Sequence, residues 1–353
     1  MRRFLSIIAV CLVGLTSTAL AQEEAKPPKV LFADETPLQI TITGPFSQLL
    51  RTRAADEPPI YDATLIVAGE ESAPLPITMN ARGNFRRQRD KCRFPPLRVR
   101  FQEKPSSGSV FHKQKSLKLV THCRASPVYA QYQTAEYLAY RLFNTLTPAS
   151  LRVRMANISY VDEKNGKQVA ERAAFFIEDI DDMAKRVDHK ELEVPNIGRP
   201  AVDPQAGARI AVFQYMIGNL DWSMVSGKEG EDCCHNVKLV VEDRDVLENI
   251  MPIPYDFDHA GLVDASYANP PTRFKLRSVR DRRYRGFCIH NDEARAVIEG
   301  LRPRRDEFLS MVDTVPGMSE KRQKKSRDYI ESFFEDIAND ASTQETIFDY
   351  CRE

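Results

Sequence analysis

The chain has 353 residues, carries 50 basic and 50 acidic side chains for a net charge of zero, and is 42% hydrophobic. That length can bury a substantial core in one large domain or two units. The charge balance gives no support to a general nucleic-acid-binding or membrane-surface role, so no nucleic-acid partner is expected.

Arg2 and Arg3 precede an apolar run from Phe4 to Leu15, and Ala19-Leu20-Ala21 offers a small-residue cleavage site before Gln22. This is the pattern of a secretory signal over residues 1–21. The apolar run is shorter than the roughly 20 residues of a spanning helix, and Cys11 lies inside it, far from the cleavage point. A periplasmic or secreted protein is therefore expected, with no transmembrane segment once the signal is removed. Cleavage leaves Cys92, Cys123, Cys233, Cys234, Cys288 and Cys351. An even set in an oxidising compartment points to disulfides, whose pairing the sequence leaves open. His235 beside Cys233-Cys234 also suits a metal, but no second CxxC or HxxxH accompanies it, so zinc is the weaker reading.

Residues 22–36 are polar and proline-bearing, a flexible lead-in. Period-two alternation then predicts strands at Leu38–Thr43, Ala63–Val67, Leu75–Ala81, Leu97–Phe101 and Leu117–Val120. The period lengthens between Tyr129 and Leu146, where Tyr132, Ala135, Leu138, Ala139, Leu142 and Phe143 share one helical face. Two strands, Arg152–Val161 and Arg172–Ile177, follow around an Asn165-Gly166 turn. A helix is predicted over Gln205–Ile217, then strands at Asn236–Val241 and Asn249–Ile253, then helices from Asp292 onward. The order suggests an α+β, two-lobed protein-kinase-like fold. Its β-rich N-terminal lobe with one long helix would span 37–178, and its mostly helical C-terminal lobe, carrying the site, 179–353.

Three polar groups stand at the ends of these later elements: Gly218-Asn219-Leu220-Asp221-Trp222, His235-Asn236 and Pro254-Tyr255-Asp256-Phe257-Asp258. An acid, an amide and a further acid in that order suit phosphoryl transfer. One carboxylate orients the attacking hydroxyl, and an amide oxygen with a second carboxylate holds the divalent cation. Asp221 is then the catalytic candidate and Asn236, Asp256 and Asp258 the metal candidates. A cation for the phosphates is sought in the first half, where Lys118 lies on a strand and Glu136 on the following helix is placed to pair with it. Lys91 and the Arg82-Gly83-Asn84 turn, with Arg86 and Arg87 behind it, compete for that role.

The runs GNLDW, HN and PYDFD, together with ARGNF and the helix EYLAYRLFN, resemble the CotH-type spore-coat protein kinases over roughly residues 78–260. A related family of exported proteins of the same ancestry fits the same likeness. The resemblance implies a kinase-like fold, ATP as phosphoryl donor, Mg²⁺ or Mn²⁺, and transfer to protein hydroxyls. By position it makes Asp221 the catalytic acid/base and Asn236 and Asp256 the metal ligands, with Asp258 assisting. The chain departs from kinase patterns in the wide gap from Asp221 to Asn236, in Trp222 where an Arg is customary, and in lacking a GxGxxG loop.

Other readings remain open. Asp221 after a Gly-Asn turn also suits a cap, and Asp256-Phe257-Asp258 a small calcium site outside the EF-hand spacing. A strand lysine commonly faces solvent, and His235 also suits a hydrogen-bonded core position. The basic run from Arg273 to Arg285 suits either a solvated face or the docking of an acidic peptide or phosphate. The competing functions are a non-catalytic exported binding or cell-envelope protein, and a hydrolase using Asp221 and Asp256 as a carboxylate pair. The expected partner is a protein substrate or a cell-envelope component.

Overall fold

A computed structural model describes residues 25–71 and 73–353. The expected signal peptide, with its cleavage site, lies outside the described residues.

The first half is built from alternating strands and one long helix. β1 (Leu38–Gly44) leads into α1 (Phe46–Thr52), followed by β2 (Tyr61–Val67), β3 (Leu75–Ala81), β4 (Leu97–Phe101) and β5 (Ser116–Val120). Helix α2 (Pro127–Asn144) comes next, then the long hairpin of β6 (Val153–Asp162) and β7 (Gln168–Ile177). These seven strands close on themselves in the order β1-β2-β3-β4-β5-β7-β6. The closure is the parallel pairing of β1 with β6, from Leu38 opposite Ala156 to Gly44 opposite Asp162.

This closed barrel, with the helices elsewhere, overturns the expected two-lobed kinase-like fold. Element order and periodicity say which residues face a core. They do not say that the two outer edges of a sheet will find each other. Closure satisfies the backbone groups that an open sheet leaves bare at its edges, and it encloses an apolar core. Ile42, Phe46, Leu65, Ile77, Leu97, Val99, Leu117, Leu119 and Phe176 are all fully buried there.

The second half begins with α3 (Ile180–Arg186) and β8 (Lys190–Leu192), continues through α4 (Pro204–Met216), and returns to strands β9 (Val237–Val241) and β10 (Met251–Pro254). β8, β9 and β10 form a separate three-stranded sheet in the order β10-β9-β8. Four helices complete the chain: α5 (Asn291–Leu301), α6 (Arg305–Ser310), α7 (Glu320–Asp336) and α8 (Asp340–Thr346). Helix α4 has buried positions nearly all around, and α2 buries Ala135, Tyr137, Leu138, Ala139, Leu142 and Phe143 in the same large core cluster. Through that cluster α2 joins the barrel to the helical remainder.

The six cysteines among the described residues are all paired, as Cys92–Cys123, Cys233–Cys234 and Cys288–Cys351, so none of these is left for zinc. Such bonds fit an oxidising compartment. Among the described residues no helix is long and apolar enough to cross a membrane.

Candidate functional site

Where α4 ends, the chain turns through Gly218 at φ +63°, and a Cβ there would overlap the Tyr329 hydroxyl. Glycine is required on both counts. Asn219 Oδ1 then accepts the backbone N–H of Asp221 (3.0 Å), and the Trp222 indole donates to Asn219 O (3.0 Å). This Asx turn fixes the Asp221 carboxylate at the loop's tip. Trp222 itself is 3% exposed and serves as the packing anchor of the loop.

Asn236 and Asp256 are brought together by strand register. Val237 of β9 pairs with Pro254 of β10, so the residues just outside the ladder, Asn236 and Tyr255, are neighbours, with the Tyr255 N–H donating to Asn236 O (3.1 Å). Both Asn236 (φ +54°) and Asp256 (φ +62°) are left-handed, a conformation that Asn and Asp tolerate better than other side chains. The Asp256 N–H donates to the Tyr140 hydroxyl of α2 (2.9 Å), whose ring packs on Phe257 at 4.6 Å. Asp258 accepts from the Tyr267 hydroxyl (3.1 Å).

Asp221 is held from both sides. His235 Nε2 lies 2.7 Å from its Oδ1, and Asn236 Nδ2 donates to its Oδ2 (3.1 Å) and its carbonyl (2.6 Å). Burial pushes the Asp221 carboxyl upward, but the His235 hydrogen bond and the charges of His235, His259 and Lys228 outweigh it and bring the pKa down to about 2. Its charge is thus secure, which suits it to orient a hydroxyl.

The barrel supplies the opposite wall. β5 alternates, so Leu117 and Leu119 enter the barrel while Lys118 faces out, opposite Arg98 of β4. Arg82 follows β3, at the start of a turn in which Gly83 adopts φ +77°. Burial, then the neighbouring charges of Arg82, Arg98 and Lys238, push the Lys118 ammonium down to about 7. Its Nζ sits 4.4 Å from the Tyr255 ring centroid. Glu136, 2% exposed on α2, pairs with Arg86 (3.7 Å) and not with Lys118 as expected. Burial first, then Asp258, raise the Glu136 carboxyl, with Arg86 opposing. Burial and Asp258 likewise raise Asp256.

All seven sequence-predicted residues, Arg82, Lys118, Glu136, Asp221, Asn236, Asp256 and Asp258, line a single cleft of about 420 Å³. Sequence reasoning assigned no site role to Tyr140, Tyr267 or Arg98, and it ranked His235 below its neighbour. The alternation of β4 was the available signal for Arg98. The tyrosines carry none, because their partners are remote in sequence.

The donor set fits a hard divalent cation. Asp256 and Asp258 are two mutually repelling carboxylates, and the Asn236 amide nitrogen is engaged by Asp221, leaving its oxygen for a cation. Among the described residues no three His, Cys, Asp or Glu side chains converge to hold a metal unaided. Mg²⁺ seldom requires that, since one or two carboxylates with substrate phosphates and water suffice.

No protein-family model and no curated protein matches the chain. A solved structure with some likeness is the proinflammatory kinase CtkA of Helicobacter pylori, at 9% identity over 72% of this chain and 89% of that one, with a TM-score of 0.35.

Proposed function

We propose that the protein is an exported phosphotransferase that transfers the terminal phosphoryl group of ATP to a protein hydroxyl with Mg²⁺ or Mn²⁺. One observation carries this reading. Residues as distant in sequence as Arg82 and Asp258 share a cleft, to which the barrel half contributes the cations Arg82, Arg98 and Lys118 among others, and the second half the carboxylates Asp221, Asp256 and Asp258 with the Asn236 amide. Phosphoryl transfer depends mainly on positioning and charge neutralisation, and this arrangement supplies both kinds of group.

In this reading Arg82 and Lys118 bind the phosphates, and Asn236, Asp256 and Asp258 hold the cation, which neutralises phosphate charge when bound. The ionised Asp221 accepts a hydrogen bond from the acceptor hydroxyl and aims its oxygen at the terminal phosphorus. The acceptor O–P bond forms as the bond to the bridging oxygen breaks. The hydroxyl proton passes to Asp221, and ADP departs with the electron pair. Arg86 keeps Glu136 paired, and Tyr140 positions the Asp256 backbone.

The test is thermal unfolding with and without ATP and Mn²⁺. A ligand at 100 times its Kd adds about 2.7 kcal/mol, or roughly 3–8 °C for a protein of this size class. The shift is expected in the wild type and absent in Asp256→Asn. No shift in the wild type at millimolar ATP overturns the reading. The engagement of both Asp221 carboxylate oxygens favours a second reading, a nucleotide binder without catalysis. That protein shows the shift but transfers no phosphate from labelled ATP, whereas an enzyme does so and loses transfer in Asp221→Ala.

A further inference from the structure

Asp221 lines two sizeable clefts. Beside the cleft that holds the carboxylates is a second cavity of about 550 Å³, and Asp221, His235 and Lys228 line both. The second cavity has the opposite character. Its lining holds four cations, Lys228, Arg273, Arg285 and Arg352, and one acid, Asp221. Asp221 is already engaged by His235 and Asn236.

Arg285 is the centre of this group and is only 6% exposed. Its Nη1 donates to the carbonyls of Leu220 and Trp222, so it braces the loop that carries Asp221. Its guanidinium lies 5.0 Å from the Trp222 ring centroid and 5.4 Å from that of Phe274. Among the described residues its Nε has no hydrogen-bond acceptor. Among the described residues none of Arg273, Arg285 and Arg352 forms an ion pair with a carboxylate. Burial, then the charges of Arg273 and Arg352, push Arg285 down to about 9. A buried guanidinium normally has a paired anion, because unpaired burial of charge is costly. The forked donors of arginine match a carboxylate in two parallel hydrogen bonds.

We infer that this second cavity is a docking site for an acidic peptide segment, with Arg285, Arg273 and Arg352 receiving its carboxylates and Asp221 facing its hydroxyl. The inference rests on the phosphotransferase reading for what the bound hydroxyl does, and on the cavity alone for what binds. The apolar surfaces of Phe274 and Pro271 beside the arginines suit the side chains of a peptide better than a bare inorganic anion. The acceptor is therefore a protein whose serine or threonine is flanked by Asp or Glu.

The experiment measures binding of two fluorescent peptides by anisotropy, without nucleotide. One contains a single serine among glutamates, and the other replaces every glutamate with glutamine. The wild type is expected to prefer the glutamate peptide by at least about tenfold, in line with one or two charge-assisted contacts. Arg273→Gln/Arg352→Gln, two exposed positions whose loss should not disturb folding, should reduce that preference by most of its value. The double variant should keep its ATP- and Mn²⁺-dependent melting shift, because neither arginine lines the first cleft. Arg285→Met, which also unbraces the Asp221 loop, should lose the preference altogether. Equal binding of the two peptides, or a preference that survives the double variant, overturns the inference. So does inorganic phosphate alone binding as tightly as the glutamate peptide, which would make the cavity a small-anion site. A glutamate preference without any nucleotide shift refutes the phosphotransferase reading and leaves the docking site standing. The converse result refutes only the docking site.

Discussion

The two faces of β4 and β5 use the same backbone for opposite purposes. Toward the barrel, Leu97, Val99, Leu117 and Leu119 are fully buried among other apolar side chains. Toward the cleft, Arg98 stands directly opposite Lys118. Like charges across a strand pair oppose folding. The inner face is complete in itself, and it stabilises the fold by removing apolar surface from water. The outer face sets cation against cation, and the carboxylates that offset them, Asp256 for Lys118 and Asp179 for Arg98, come from outside the strand pair. The apolar core and the charged cleft wall are thus separated by a single residue step along a strand.

The sharpest way to break this comparison is to injure the inner face. Phe176 of β7 is fully buried and meets Phe111 edge-on at 5.4 Å. Phe176→Ala should cost about 3–5 kcal/mol, read from the denaturant midpoint, because the barrel cannot collapse around the void. A loss below about 1 kcal/mol would mean that the barrel is loosely packed and the contrast overstated.

A second and smaller effect lies at the boundary. His122, just past β5, is 6% exposed, packs on Phe94 at 4.5 Å, and among the described residues has no partner for Nδ1. Burial first, then Arg172 and Arg86, push it down from 6.5 to about 4. The unfolded chain then binds a proton that the folded one refuses between those two values. Stability is complete above pH 6.5, falls as the pH drops toward 4, and is fully lost for this group below that. The expected loss is about 3 to 3.5 kcal/mol at most, since one pKa unit corresponds to about 1.4 kcal/mol. His122→Leu should flatten the slope in that window. An unchanged slope would assign the acid sensitivity to other groups.

What the sequence disclosed follows from the range over which each signal acts. Alternation placed β3 and β4 at Leu75–Ala81 and Leu97–Phe101, and the helical period placed α2, because those patterns are local. Barrel closure depends on Leu38–Gly44 meeting Ala156–Asp162, a pairing with no local trace, so the expected kinase-like lobes gave way to a closed barrel. The short elements α1 and β8 were missed because seven and three residues are too few to show a period. In the cleft, the residue types at element ends were readable, since Asp221, Asn236 and Asp256 each stand beside a predicted boundary. Their partners were not. Glu136 was expected to meet Lys118, but the Arg82-Gly83-Asn84 turn folds back and presents Arg86 to it.

Lys118 offers the mildest but most discriminating test, because it should trade stability against binding. Its ammonium is partly buried, faces Arg98, and is pushed down to about 7 by burial and by Arg82, Arg98 and Lys238. Between that value and 10.5 the unfolded chain holds a proton that the folded chain has released, so this group penalises folding, and the penalty shrinks as pH rises through the window. Lys118→Met keeps the apolar stem over Tyr255 and removes the charge. The variant should be more stable than wild type at pH 7 by about 1–2 kcal/mol, or roughly 1–3 °C in Tm. It should also show a smaller melting shift with ATP and Mn²⁺. A variant that is destabilised, or that binds the nucleotide as well as wild type, would place Lys118 among the ordinary solvated charges of the barrel's surface and leave Arg82 as the phosphate-facing cation.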